Sequence, residues 1–330
     1  MKHSNLNSWV AVPGNEGSSI ISSEEAVLRT LSYFDIFHYP LTKAEIVAFS
    51  NIPLSAEILE SSLNGLVSRQ IVYPYNEFYS LHNNPLLVHR RIQGNERATH
   101  LLQKAQRIGR FLYQFPFVKA IGVSGSLSKN FADQKADIDF FIITSTNRLW
   151  VARTIMHLYK KLTFLTGRQH YYCMNYYINE KEYELKERNI FTAIEIKTLV
   201  PVCGEKEIQA FFAANKWADE WLPVCGYKLQ QLKEPNRSWM KKLGEWLLGG
   251  NRGGRLDDYL LNTTTRRWKK KETRGMKNNK GVRMGLLTNK DFAKSNPGDF
   301  QQKVLSMYQQ RVEGLMEKHN TASYINFSAK

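Results

Sequence analysis

Capped apolar stripes mark out the first part of the chain. Ser22-Ser23-Glu24-Glu25 reads as a capping box opening a helix through Phe34, and Thr42-Lys43-Ala44-Glu45 reads as another, opening a helix that ends near Asn51. Pro40 separates the two. Ser55 caps a third helix with Ile58, Leu59, Leu63, Leu66 and Val67 on one stripe, and two short strands, 71–73 and 78–80, follow around the turn Pro74-Tyr75-Asn76-Glu77. Residues 85–114 predict one long helix, apolar along Leu101, Leu102, Ala105, Ile108 and Leu112 and basic elsewhere. At 117–123 and 138–143 the pattern becomes two apolar runs with the length and the β-branched or aromatic content of buried strands. A helix over 147–165 and a strand-like run over 171–178 come next, then helices over 189–199 and 205–222, stopped by Pro201 and Pro223. Trp217 and Trp221, four apart, are expected in a core or an interface. Residues 237–254 have helical character and end in two Gly pairs, and 299–316 read as an amphipathic helix that packs back onto the body.

Candidate chemistry concentrates where the two apolar runs meet. Asp137 and Asp139 stand two apart at the start of the second run, so on a strand both carboxylates project from one face. Two acids side by side raise each other's pKa and are costly to keep ionised without a cation between them. A hard divalent ion such as Mg²⁺, which shares its coordination among carboxylates, water and phosphate, removes that cost. The turn between the runs supplies the other half of a phosphate site. Gly125 has no Cβ and allows close approach, the Ser126 hydroxyl can donate to a phosphate oxygen, and Lys129 is a candidate extra cation.

Gly125-Ser126, Ser128-Lys129 and Asp137-Ile138-Asp139, set on two apolar runs, resemble the signature of the DNA polymerase β-like nucleotidyltransferase superfamily, which includes the kanamycin and the minimal nucleotidyltransferases. The resemblance covers 117–200. It implies a small mixed sheet with helices on one side, Mg²⁺ held by Asp137 and Asp139, and phosphates gripped by Gly125 and Ser126. The implied reaction transfers a nucleotidyl group from a nucleoside triphosphate such as ATP and releases pyrophosphate. It also implies a third carboxylate on the strand after the next helix. That position holds Asn175, whose carbonyl can coordinate a cation but which carries no charge and accepts no proton. Glu195, an acid inside the apolar stretch Thr192-Ala193-Ile194-Glu195-Ile196, is the substitute candidate, with a plain helix-surface glutamate as the alternative. A helical region after the sheet often shapes the acceptor pocket in such proteins, and the resemblance assigns that role to the segment beyond 200.

Three helices followed by a hairpin resemble a winged helix, whose third helix usually enters the major groove. The helix over 55–70 carries Glu57 and Glu60 and a single cation, Arg69, which favours protein contact or packing over DNA reading. The expected architecture is therefore α+β. It comprises a flexible arm (1–21), a winged-helix-like domain (22–84), a linking helix (85–116), a nucleotidyltransferase core (117–200) and a helical C-terminal region (201–330) with a basic segment over 266–283.

A net charge of +16 over 330 residues favours a polyanionic partner, nucleic acid among them. Three cysteines without close spacing imply free thiols, and the eight histidines make no ligand pattern with them. With no long apolar run and no leader pattern at the N-terminus, a cytoplasmic protein is expected. The acceptor, whether small molecule, protein or RNA, is not specified. Two other classes stay open: a catalytically silent nucleotide-binding protein, motivated by Asn175, and a winged-helix DNA-binding regulator.

Overall fold

The computed structural model describes residues 21–328 except 230, 237, 279 and 280. The arm expected over 1–21 lies outside them apart from Ile21. Among the described residues the chain is α+β, with twelve α-helices, a three-stranded sheet and a mixed six-stranded sheet. No helix among them is long and apolar enough to cross a membrane.

The first unit begins with α1 (Ser23–Asp35), capped by Ser22, whose Oγ accepts from the Glu25 amide at 3.1 Å. Only half of the expected box forms there, because the Glu25 carboxylate turns to Arg29 instead. After β1 (Leu41–Thr42), α2 (Lys43–Phe49) opens on a complete box between Thr42 and Glu45. Helix α3 (Ala56–Ser68) is capped by Ser55, and β2 (Tyr73–Tyr75) and β3 (Phe78–Ser80) follow. The sheet order is β1-β3-β2, all antiparallel. Pro74, expected in the turn, lies in β2; that strand is an edge, where a missing N–H costs no ladder bond.

Helix α4 (Leu86–Leu112) locks this unit to the rest. Its Arg91, only 3% exposed, forms an ion pair with Glu45, stacks 3.8 Å from the Tyr39 ring centre and donates to the Pro40 carbonyl. A buried guanidinium needs such partners, and here all three lie between 39 and 45.

The main sheet begins with β4 (Val118–Ser124), followed by a single helical turn, α5 (Gly125–Ser128), and β5 (Asp139–Thr144). A crossover through α6 (Leu149–Thr163) makes β6 (Cys173–Asn179) parallel to β5. Next come α7 (Ile190–Thr198), β7 (Val200–Cys203), α8 (Glu205–Ala214) and α9 (Ala218–Trp221). The chain ends in α10 (Trp239–Leu247), α11 (Gly250–Thr273), β8 (Leu286–Thr288), β9 (Phe292–Ser295) and α12 (Phe300–Ser328). Strand order is β7-β4-β5-β6-β9-β8, antiparallel except for β5 with β6.

Several expectations change. The region beyond 200 is not purely helical, since three of its strands belong to the main sheet. Strands β8 and β9 are too short and polar to announce themselves, and β9 is specified by pairing Phe292, Ala293 and Lys294 with Ile178, Tyr177 and Tyr176. Pro201 does not merely stop a helix but sits in edge strand β7. Both faces of the sheet are covered rather than one. Ile121, Phe140 and Ile142 pack in one apolar cluster with residues of α4 and α6, while Phe141, Ile143 and Ile178 join α7, α8 and the apolar residues of α1 and α3 in the other. The first unit thus shares a continuous core with the sheet.

The helix expected over 205–222 breaks at Asn215, a fully buried side chain that accepts from the Leu185 amide and the Trp217 indole and donates to the Tyr183 carbonyl. Trp217 is accordingly a core residue. Of the glycine pairs expected to end a helix near 254, Gly249-Gly250 instead stands at the junction of two helices, Gly250 with φ +60°, while Gly253-Gly254 lies inside α11, where a Cβ on Gly253 would run into the Leu248 carbonyl oxygen. The first part of the basic segment, through Thr273, is the end of α11. Helix α12 packs back as expected, with Tyr308 edge-on to Tyr33 at 5.9 Å.

Candidate functional site

Antiparallel pairing of β4 with β5 sets Ser124 opposite Asp139, so the turn that leaves β4 lies against the first residue of β5. Gly125 occupies that turn with φ +69°, a region in which side-chain-bearing residues are disfavoured. A Cβ there would stand 2.6 Å from Asp139 Oδ2. Glycine is therefore what lets the carboxylate reach the bend.

Asn175 reaches the same carboxylate from β6. Phe140 pairs with Met174 but Phe141 pairs with Tyr176, so Asn175 is an extra residue in a bulge. Its Nδ2 donates to Asp139 Oδ1 at 2.5 Å. Glu195 approaches from α7 on the other side. One of its oxygens accepts from the Gly125 amide at 3.2 Å and the other from Lys129 Nζ at 2.5 Å, and Lys129 also donates to the Gly125 carbonyl at 3.0 Å. Glu195 is half-buried and engaged with the turn, not a free surface glutamate.

Gly125, Asp139, Asn175 and Glu195 line one cavity of about 180 Å³ together with apolar side chains, Phe141, Leu185 and Phe191 among them. Phe211 of α8, Lys294 of β9 and Phe300 of α12 also line it, so segments beyond 200 border this cavity.

Asp137 is placed differently. Strand β5 begins only at Asp139, and Asp137 lines a second cavity of about 620 Å³ with Arg97, His100, Lys104 and His170. Burial first, and then the carboxylates of Asp139 and Asp137, push the Cys173 thiol up to about 11 against the pull of Lys160. Both acids therefore act on one neighbouring group although they open to different cavities. Ser126 is exposed and does not line either of them.

Two neighbours of the turn carry no local sequence signal. Lys228 donates to the Ser128 carbonyl at 2.7 Å, and burial together with the adjacent Lys129 ammonium lowers its pKa. Thr198 bonds the Ser128 hydroxyl at 3.2 Å. Both come from far along the chain, where only the fold could bring them. From the first unit, the Tyr39 hydroxyl donates to the Lys129 carbonyl at 2.6 Å.

The oxygen donors gathered here, carboxylates and a carboxamide, are of the hard class that Mg²⁺ takes. The three cysteines are poor nucleophiles, because burial raises all three thiol pKa values, that of Cys203 to about 12. In comparisons with known proteins, no family model, no curated protein and no solved structure matches the chain.

Proposed function

We propose that the chain is a Mg²⁺-dependent nucleotidyltransferase, moving a nucleoside monophosphate from a nucleoside triphosphate to an acceptor and releasing pyrophosphate. The observation that carries this reading is the close approach of Gly125 to Asp139, a glycine bend held against an acid in the lining of one cavity. Asp139, at the bend, would hold the ion, and Asp137, which opens to the second cavity, would join it once its side chain turns toward the bend; the bound ion would offset charge on the transferring phosphoryl group.

The Gly125 amide and the Lys129 ammonium are the donors for phosphate oxygens. Both are already engaged by the Glu195 carboxylate, which stands in the place an anionic oxygen would take. A bound triphosphate displaces Glu195 from them. The released carboxylate then takes the proton of the attacking hydroxyl, a step that Asn175 cannot perform. The apolar cavity is smaller than the ~300–1,000 Å³ usual for a whole small molecule, so it takes one apolar part, such as the nucleobase, while the phosphates lie over its rim. The cationic second cavity beside Asp137 suits an anionic acceptor.

A silent nucleotide-binding protein is the second reading, favoured by Asn175 at the third position and by the closed Glu195–Lys129 pair. A DNA-binding role gains less support. The outer face of α3 presents Glu57, Glu60, Ser61 and Asn64, and Arg69 is paired with Glu24.

Calorimetry with each nucleoside triphosphate and Mg²⁺, followed by transfer assays with α-labelled triphosphate, tests the proposal. The double variant Asp137→Asn/Asp139→Asn is expected to lose metal-dependent binding, and unchanged binding would overturn the assignment. Glu195→Gln separates the two readings. In a transferase it abolishes pyrophosphate release while triphosphate binding is kept or tightened, whereas in a silent binder no release is seen with either protein.

A further inference from the structure

The geometry points to a transition-metal site, of the kind Zn²⁺ occupies, formed by Asp35, His38 and His82 in the winged-helix-like unit and separate from the Gly125–Asp139 cavity. One ligand atom from each of the three lies within 4.8 Å of the other two, and this is the group of three such residues that meets that spacing among the described residues. Two imidazoles and a carboxylate are a donor set suited to Zn²⁺, bound at ~2.0–2.2 Å with water completing the tetrahedron. Small side-chain rotations would bring the three atoms onto one ion.

The surroundings favour a cation. Asp35 ends α1, where the last carbonyls concentrate negative potential. Its carboxylate is almost fully buried, and two groups already lean on it: His82 Nε2 at 3.0 Å and the Arg311 guanidinium of α12. Both histidines are exposed and reachable from solvent. His38 sits just past the helix at φ +52°, the left-handed position that redirects the chain and turns this residue back beside the helix end. Arg311 therefore acts as the competing counter-cation, and metal binding shares or takes over its role.

The site would also stiffen the loop that buttresses the glycine turn. Arg90 donates to the carbonyls of Phe37 and His38 at 3.1 and 3.2 Å and bridges to both oxygens of Asp133 at 2.9 Å. One residue on, Tyr39 bonds the Lys129 carbonyl. An ion on His38 thus fixes one end of a chain of contacts whose other end is the turn at 125–129.

The test uses the full chain, with Co²⁺ as a spectroscopic probe and Zn²⁺ by calorimetry. One saturable equivalent is expected, with a visible cobalt band of tetrahedral intensity and a Zn²⁺-dependent rise in Tm. His38→Ala and His82→Ala should each weaken binding by at least ~10-fold and remove the Tm rise, whereas the control His100→Ala should change neither. Arg311→Gln should tighten binding about tenfold by removing the competing charge. Because both histidines are exposed, their variants are expected to fold, and circular dichroism checks this. Absence of saturable binding by the wild-type chain, or binding indifferent to both histidine substitutions, would overturn the proposal.

Discussion

Gly125→Ala probes the contact between the bend and Asp139. With φ +69°, the new side chain sits in the left-handed region, at a cost of about 1–2 kcal/mol. Its Cβ meets Asp139 Oδ2 at 2.6 Å, well inside van der Waals contact, so the carboxylate must swing away and give up the 2.5 Å hydrogen bond from Asn175. A hydrogen bond to a charged group is worth ~1.5–3 kcal/mol, and the lower end applies because Asp139 is only half-buried.

The expected destabilisation is about 2.5–4 kcal/mol. With an unfolding entropy of ~2.1 cal/mol/K per residue over 330 residues, this lowers Tm by about 4–6 °C if the chain unfolds as one unit. Gly167→Ala is the matched control. It has φ +66° but open space where the Cβ would go, so it carries the backbone cost alone. Differential scanning calorimetry of both variants, with Mg²⁺-triphosphate titrations, separates strain from displacement of the acid. If Gly125→Ala is no less stable than Gly167→Ala and binds triphosphate as the wild type does, the bend and the acid do not form the site described.

Arg91→Ala should cost about 3–5 kcal/mol in chemical denaturation, because it strands a partly buried Glu45 and empties the space over the Tyr39 ring; a loss under 1 kcal/mol would contradict the locking role of α4. Acid sensitivity has an identifiable source in His157. Burial, and then the nearby charges of Arg153, Lys160 and Lys161, hold its pKa well below the usual 6.5, so the folded chain keeps it neutral while the unfolded chain takes up the proton. Stability therefore falls as pH drops below about 6.5 toward the folded value, by up to ~1.4 kcal/mol per pH unit from this group. His157→Leu should flatten the dependence of Tm on pH between 6.5 and 5, and an unchanged slope would show that other groups set it.

The sequence alone determined the local elements of this protein and one short-range coincidence. Caps at Ser22, Thr42 and Ser55 fix helix starts because the bonded groups lie three residues apart, and the code for such contacts is local. Gly125 and Asp139 are likewise within one strand–turn–strand connection, so their meeting follows once both runs are read as neighbouring strands. The membership of the rest was decided by tertiary structure. Asn175 reads from the sequence as a polar residue on the next strand, but its reach to Asp139 depends on a bulge that pairing imposes. Glu195 was legible as an unusual acid in an apolar helix, yet only the docking of α7 against the bend gives it Lys129 as a partner.

Lys228 could not be found, since its signal is a backbone carbonyl one hundred residues away. The same holds for Asp35, His38 and His82, whose spacing matches no local ligand pattern and which the hairpin of the first unit gathers at the end of α1. Strands β8 and β9 complete the contrast. Three- and four-residue segments have too little pattern to specify a strand, and only the pairing of β9 with β6, and of β8 with β9, makes them strands.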